Sequence, residues 1–524
     1  MTRISHLATA FSILCAIALT GASGAGPAGR IPGELLERGS ANLDVRGLDL
    51  PPLRTFYAAR SQAPAWSGSP AARNDARIAL ETLAGAGAEG LDPARYHVPA
   101  IALRQKAAAA DAPEASAEYD VLMSDGVLRY VRDLREGRGE LRTLDSDVAL
   151  PEREFDAAAA LGAALREGRL AQFLAALPPP YPEYARLRSA LARYRGIDSA
   201  GGWPRIADTI AGPLDAATEQ TGRLRERLSF EIAKAADLAS DLVQAVEAFQ
   251  RRHGLEPDGR VGNKTLAALN VPASQRADEI AANMERWRWL PRTLGPRHIS
   301  VNAAGATLAA VEDGRVVLTS NVIAGKPRSP TAIFAAEAVA VTLNPVWNIP
   351  VSIARGEILP KARRNPSYLR ARRIVADASG RLRQLPGRNN ALGQVKLEMP
   401  NRFSIYLHDT PARTLFARAE RHLSHGCVRV ERIRPLASFA MTGDPERALP
   451  EIRERIGGGT TERISLDKPV PVYVLYWTAV ANEDGSVDFF PDVYGRDGRL
   501  LATIAGKPVA RRISSNAGSE CRNA

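Results

Sequence analysis

Cysteine is nearly absent: three occur in 524 residues, at positions 15, 427 and 521. That scarcity excludes a fold stapled by a disulfide framework. Aromatic residues supply only 6% of the chain, and no aromatic-basic RNA motif, zinc-finger spacing or Walker loop occurs. Acidic residues are in deficit, 58 against 69 Lys and Arg, for a formal net charge of +11. Such a balance suits an anionic partner: nucleic acid, an anionic membrane face or an acidic polymer. The missing motifs make nucleic acid the weakest of the three. Long apolar runs are also missing, apart from "LATAFSILCAIALT" at 7–20. Arg3 before it and the small residues "ASGA" (22–25) after it make a secretory signal, with cleavage expected after Ala25. The run is short for a membrane span; left uncleaved, it is an anchor. Cys15, in "SILC", lacks the small residue expected before a lipoprotein cysteine. The mature chain then keeps Cys427 and Cys521. A bridge between them would block any thiol chemistry.

What is present suits a soluble protein of two to four domains: 45% hydrophobic and 24% charged residues. Residues 26–50 are Gly-, Pro- and polar-rich and read as a flexible leader. From there to 215 the pattern is helical and rich in Ala, Leu and Arg, with "YDVLMSDGVLRYVRDLREG" (119–137) as one helix and "LPPPYPEY" (177–184) as a break. No chemical constellation occurs in this region. In 216–275, Val243, Val246 and Phe249 have helical spacing, "PDG" (257–259) is a turn, and "NKTLAALN" starts another helix. The pieces "AVEAFQRRHGL", "DGRVG" and "TLAALN" resemble the peptidoglycan-binding module often attached to bacterial wall enzymes; a generic helical hairpin is the plainer alternative. His253, inside it, is expected at the surface.

"NMERWRWLP" (283–291) reads as a linking helix, and after it the pattern turns to strands. "HISVNAA" (298–304), "ATLAAVEDGRVVLTSNVIAG" (306–325) and "AEAVAVTLNP" (336–345) alternate, with Asp313-Gly314 as a hairpin turn. "RFSIYLHD" (402–409) is a further strand, and a late hairpin turns at Asp484-Gly485. Between strands, 351–400 holds nine Arg and two Lys against three acids, 11 − 3 = +8. A solvated helical face and a basic flap over an acidic substrate both fit.

Chemistry concentrates in "RHLSHGCVRVE" (421–431). A thiol becomes a strong nucleophile as thiolate, helped by an imidazole adjacent in space. His408 closes the strand "FSIYLHD", on which Ser404, Tyr406 and His408 are expected to share a face. Gly426 lets the backbone pass close to a reacting carbon, and N–H groups near Cys427 can meet an oxyanion. A helix starting just after Cys427 is expected, which would favour the thiolate. The bland alternatives are a buried structural thiol, a hydrogen-bonded core histidine at 425, a surface His422, and a zinc site from His408, His422, His425 and Cys427. The zinc set lacks a usual spacing.

Taken together, "YLHDTP" and "SHGCVRV" resemble the signature of the L,D-transpeptidases, the YkuD-type cysteine enzymes of bacterial walls: a histidine, a spacer, then Ser/Thr-His-Gly-Cys. "NPVWNIPVSIARGEILPKARRNPSYL" (344–369), "LPGRNNALGQVKLEMPN" (385–401), "LRTFYAARSQAPAW" (53–66) and "GLDPARYH" (90–97) are similar to the larger Gram-negative, YcbB-like branch. The implied fold is multidomain α+β. It comprises a signal peptide (1–25), a leader and helical scaffold (26–215), a small three-helix peptidoglycan-binding module (216–275) and a linker helix (276–295). A mainly-β catalytic domain (296–505) with a helical capping insertion (351–400) and a tail (506–524) complete it. The resemblance implies a periplasmic enzyme that forms 3→3 diaminopimelate cross-links through a thioester on Cys427, without cofactor or metal. It implies His408 as base, Asp409 helping to orient it, a role often taken in the family by the backbone carbonyl at that position, and His425, Gly426 and Cys427 around the oxyanion. Arg429 departs from the Asn of many members and reads as a substrate-side cation. Ser424, Tyr406, Trp347 and Asn344 complete the expected substrate contacts, though Trp347 as packing is the simpler reading. Stem peptides are the implied partners, other wall enzymes possible ones, and carbapenems the implied inhibitors. An L,D-carboxypeptidase, an enzyme attaching a protein lysine to the wall, a general cysteine peptidase and a non-catalytic wall-binding protein remain as alternatives.

Overall fold

The computed structural model describes residues 32–38, 43–108, 113–138, 144–151, 154–207, 209–210, 214, 218–231, 241–505, 507 and 509. The expectations placed on Cys15, the signal segment and Cys521 lie outside these residues. No helix among the described residues is long and apolar enough to cross a membrane.

The N-terminal part is helical. Its longest helix, Pro113–Glu136, carries the expected 119–137 segment and buries Val121, Met123, Val127, Leu128, Val131 and Leu134 against Phe56, Tyr57, Trp66 and Leu83. Asp120 sits inside this core. Its carboxylate accepts from the Tyr57 hydroxyl at 2.7 Å and from the N–H groups of Ala65 and Trp66, which answers its acceptors away from water. The leader reading fails at 32–38, which form a helix with Leu35 and Leu36 buried in the same core. Their apolar pair outweighs the Gly/Pro-rich composition around it.

The next unit shows helices Glu219–Ser229, Leu242–Arg252 and Asn263–Leu269 around Leu224, Leu228, Val246, Phe249 and Leu269. Its core also takes in Ile206 and Leu214, ahead of the expected start at 216. His253 is not at the surface. It is 3% exposed, stacks on Phe249 at 3.8 Å and on Phe489 of the C-terminal hairpin at 5.8 Å, and so joins this unit to the β domain. The helix Ala273–Arg288 then runs beside Pro182–Ser199. Arg288 on it donates to Glu285 at 2.8 Å and to the Tyr184 hydroxyl at 2.9 Å.

The strands, in chain order, are β1 (Val148–Ala149), β2 (Arg297–Asn302), β3 (Thr307–Glu312), β4 (Arg315–Gly325), β5 (Ile333–Leu343), β6 (Trp347–Asn348), β7 (Ile374–Ala376), β8 (Leu382–Gln384), β9 (Val395–Glu398), β10 (Leu407–His408), β11 (His422–Ser424), β12 (Val428–Val430), β13 (Glu462–Leu475), β14 (Ala479–Ala481) and β15 (Val487–Phe489). The main sheet runs β5-β13-β2-β3-β4-β12-β10-β9, and β9 also pairs with β5, which closes it on itself. Closure removes free edges. The hairpins at Asp313-Gly314 and Asp484-Gly485 fall where the sequence puts them; both Asp313 and Gly314 have positive φ. Helix Ile433–Thr442 lays Leu436, Ala437 and Phe439 on the core beside Val341, Leu397 and Val472. The insertion is only partly helical: after short helical turns it supplies β7 and β8, which join β6, just ahead of residue 351, in a three-stranded antiparallel sheet β6-β8-β7. Its last residues, 395–398, belong to the closed sheet as β9.

Burial holds His253 down to about 3, with Glu231 working to raise it. The folded protein thus holds it neutral, while the unfolded chain protonates it below about pH 6.5. Stability from this site is full above that value and is lost as pH falls toward 3. Melting temperature should therefore drop between pH 6.5 and 4, and His253→Phe should show a shallower drop than the wild type. Equal slopes would exclude His253 as a source of acid sensitivity.

Candidate active site

Two very short strands set the geometry. β10 lies parallel to β12, with Leu407 opposite Val428 and His408 opposite Arg429. Leu407 and Val428 are fully buried in the barrel core. Alternation along each strand sends Tyr406, His408, Cys427 and Arg429 to the other face, where all four line a cavity of about 310 Å3 roofed by the insertion. "RFSIYLHD" is a strand only at Leu407–His408, because Ser404 takes a φ of 53°. The expected Ser404–Tyr406–His408 face therefore shortens to Tyr406 and His408.

Cys427 is 7% exposed and packs with Leu392, Tyr406 and Trp347. It is a free thiol, and its Sγ lies 3.9 Å from the carbonyl oxygen of Ser404. The chain continues from it directly into β12, and the helix starts only at Ile433, so no helix N-terminus meets the sulfur. His408 donates from Nδ1 to the backbone carbonyl of Asp409 at 2.6 Å. That leaves Nε2 as the basic nitrogen. Burial pushes His408 down to about 3; Arg429 pushes the same way, and the carbonyls of Asp409 and Leu392 oppose it. The ring is neutral at neutral pH and able to accept a proton.

The Asp409 carboxylate does not orient His408. It accepts from Gln394 N–H at 3.0 Å and from Arg413 at 3.1 Å; its backbone carbonyl does the orienting. Ser424 lines the cavity, but its hydroxyl braces the turn, donating to the Cys427 carbonyl at 2.6 Å and accepting from Gly426 N–H at 3.1 Å. That bond also takes the Gly426 N–H out of the expected oxyanion frame. Gly426 is required by its φ of 117°, a region closed to side-chain-bearing residues, rather than by crowding. His425 turns to the roof, its Nε2 2.7 Å from Glu357 of the insertion. His422 is not a surface residue: its Nε2 is 2.9 Å from the Ala303 carbonyl and its ring meets Tyr494 edge-on. The zinc alternative fails on that separation; among the described residues no three His, Cys, Asp or Glu side chains gather to hold a metal.

Trp347 and Tyr406 are cavity walls. Asn344 is not. It is 3% exposed, with φ 46°, and its amide donates to the carbonyls of Ile456 at 3.0 Å and Thr460 at 3.2 Å. It anchors the point where the insertion leaves the barrel. Arg429 is half-buried, and among the described residues no side chain accepts a hydrogen bond from it. Burial lowers its pKa, while Cys427 and Glu357 nearby raise it. Lys361 and Arg372 reach the cavity from the insertion. Three cations thus face one carboxylate, Glu357, already paired with His425. The sequence reading missed Glu357, though it is the single acid in a run of basic residues from 351 to 376.

Thr331 was also missed, and nothing in "RSPTAIF" marks it. Its hydroxyl accepts from Gly325 N–H at 2.8 Å and donates to the Gly426 carbonyl at 2.9 Å, fixing the turn before Cys427. Arg496 braces the same segment, donating to Asp147 at 2.6 Å and to the Thr331 carbonyl at 3.3 Å.

Residues 296–448 match the family described as "L,D-transpeptidase catalytic domain", 51–191 that described as "Scaffold domain", and 223–269 that described as "Putative peptidoglycan binding domain". The chain carries an L,D-transpeptidase catalytic domain behind a scaffold and a peptidoglycan-binding domain. A curated protein of Haemophilus influenzae named "Putative L,D-transpeptidase" is 32% identical over 260 residues, 45% of this chain and 52% of that protein. The chain thus spans about half the length of the curated relative it matches. Two solved structures share lower identity. The Ldtfm–avibactam carbamoyl enzyme is 14% identical, with 36% of this chain and 51% of that one covered and a TM-score of 0.19. An L,D-transpeptidase of Xylanimonas cellulosilytica is 20% identical, with 52% and 97% covered and a TM-score of 0.17. At those scores the superpositions add no support.

Thr331→Ala leaves a buried carbonyl and a buried N–H without partners. It should lower stability by about 1–3 kcal/mol in chemical denaturation, and Thr331→Ser should recover most of the loss. No loss in the alanine variant would remove Thr331 as a brace of the turn.

Proposed function

We propose that the protein is an exported, periplasmic L,D-transpeptidase that forms 3→3 cross-links between diaminopimelate residues of peptidoglycan stems. The observation that carries the reading is the placement of Cys427, a neutral His408 and the Arg429 cation on one face of the β10–β12 pair inside a cationic cavity. The matched catalytic and peptidoglycan-binding domains support it.

Cys427 Sγ attacks the carbonyl carbon of diaminopimelate at the third position of a donor tetrapeptide. His408 Nε2 takes the thiol proton as the C–S bond forms, and Arg429 favours the developing thiolate. The oxyanion is met by backbone donors of the 425–427 turn other than that of Gly426. When the tetrahedral intermediate collapses, the C–N bond to D-alanine breaks and His408 returns its proton to the leaving amine. The acceptor's side-chain amine then attacks the thioester, His408 takes its proton, and the thiol is restored. No nucleotide is needed, because the thioester keeps the energy of the peptide bond. Lys361, Arg372 and Arg429 suit the carboxylates of diaminopimelate and D-alanine. Carbapenems, as acylating agents, would modify the same thiol.

The test is incubation with disaccharide-tetrapeptides, read by chromatography and mass spectrometry. A dimer linked diaminopimelate to diaminopimelate is expected, and Cys427→Ala should form none. Turnover retained in that variant would overturn the thioester mechanism. Tripeptide monomer alone would favour the carboxypeptidase reading. Lys361→Gln with Arg372→Gln should raise KM several-fold with little change in melting temperature. Unchanged turnover at low substrate would dismiss the insertion as a reader of carboxylates.

A further inference from the structure

A second groove crosses the outer face of the barrel. Ser300, Ala309 and Thr319 stand in register across β2, β3 and β4, and Asn302, Thr307 and Asn321 form the next row. These residues line a cavity of about 610 Å3 walled at one side by Trp477. Trp477 is firmly held. The Asn302 amide donates to its carbonyl at 2.9 Å and accepts from its N–H at 3.0 Å. Its ring stacks on Trp287, centroids 4.6 Å apart and 15° from parallel, and Tyr181 backs Trp287 at 5.0 Å. Ser300, Thr307 and Thr319 offer hydroxyls with no protein partner among the described residues.

The chemistry of this surface is specific. An aromatic wall with a supported indole takes the apolar face of a pyranose ring, and the hydroxyls of Ser300, Thr307 and Thr319 beside it take the sugar's hydroxyls and acetamido groups. The amides of Asn302 and Asn321 are spent on Trp477 and Glu431. The floor has the small Ala309 at its centre, which leaves room for a ring. In this stretch charge enters only with Glu431 and Arg432, whereas the cavity adjoining them on the side of the thiol adds Arg388, Asp409, Arg413 and Arg434, so the ligand is neutral beside the indole and meets cations nearer the catalytic cavity. The floor is a sheet face whose backbone groups are spent within the sheet, so a peptide cannot add as a strand.

The groove also leads to the thiol. Glu431 and Arg432 line an adjoining cavity of about 630 Å3, which shares Asn389, Thr410 and Pro411 with the catalytic cavity. At its other end Trp477, Ser300, Ala309 and Val480 pass it to a cavity of about 470 Å3 that reaches Tyr181 and Trp287. We propose that this continuous face binds a polysaccharide of N-acetylated aminosugars, the strand from which a stem peptide enters the catalytic cavity. The inference deepens the peptidoglycan reading and rests on it. It assigns the strand a site on the catalytic domain itself, separate from the 223–269 unit.

The full chain should be titrated with peptide-free glycan strands and with N-acetylglucosamine hexamer, following tryptophan fluorescence and calorimetric heat. Ala309→Arg and Thr319→Arg place a long side chain on the groove floor, far from Cys427. Each should weaken glycan binding at least tenfold. Melting temperature and the alkylation rate of Cys427 by a small thiol reagent should stay as in the wild type. Wild-type binding in both variants overturns the groove, even if cross-linking is found. Binding lost only together with the melting transition also overturns it. Glycan binding that both variants abolish, in a protein that forms no cross-links from disaccharide-tetrapeptides, keeps the groove and rejects the transpeptidase reading.

Discussion

The site depends on a parallel pairing two residues long. Leu407 against Val428, both sealed in the core, fixes the register of β10 and β12. A slip of one residue would turn Cys427 and His408 inward and present Leu407 and Val428 to substrate, so the chemistry exists in one register alone. So short a pairing cannot hold that register by itself. The turn before Cys427 is fixed by the Ser424 hydroxyl, by Thr331 on the Gly426 carbonyl, and by Tyr494, which donates to the Gly325 carbonyl at 2.7 Å. Arg496 and Asp147 tie this assembly to β1, which precedes the barrel by nearly the length of two further units. The N-terminal part is thus built into the support of the thiol, and is more than a neighbour of it.

Electrostatics then divides the labour. His408 is neutral because it is buried and stands beside Arg429, so the cavity keeps its positive charge on arginine and lysine and its basicity on an uncharged ring. A charged imidazole would add to the positive charge of the cavity; a neutral one can accept a proton. The one carboxylate lining the cavity, Glu357, is hydrogen-bonded by His425 and also acts on Arg429, so three cations share a single partly engaged acid.

The parts legible in the sequence were those whose signal is local. The switch from helical to alternating pattern, the Asp-Gly turns and the His-Gly-Cys run need no long-range knowledge. The parts that were not legible depend on contacts between distant segments. His253 and His422 sit among polar neighbours in sequence but are covered by Phe489 and Tyr494 from the C-terminal region. Asn344 looked like a wall of the site because Trp347 is three residues away; its side chain is instead drawn to Ile456 and Thr460. For Asp409 the family likeness already pointed to the backbone carbonyl, which His408 meets; what only the fold shows is that its carboxylate is taken by Gln394 and Arg413. The leader at 32–38 folds because two leucines find a core contributed by residues farther along the chain.

The insertion leaves the barrel at the end of β5 and returns at the start of β9, and those two strands are paired neighbours, Leu343 opposite Val395. Asn344 N–H closes the gap by donating to the Gln394 carbonyl at 2.8 Å. Entry and exit are therefore side by side, and the barrel would close in the same register over a loop of almost any length. In evolutionary terms the roof is an interchangeable part. It can be enlarged, recharged or replaced, which changes what reaches the thiol, without disturbing Cys427, His408 or the strands that align them.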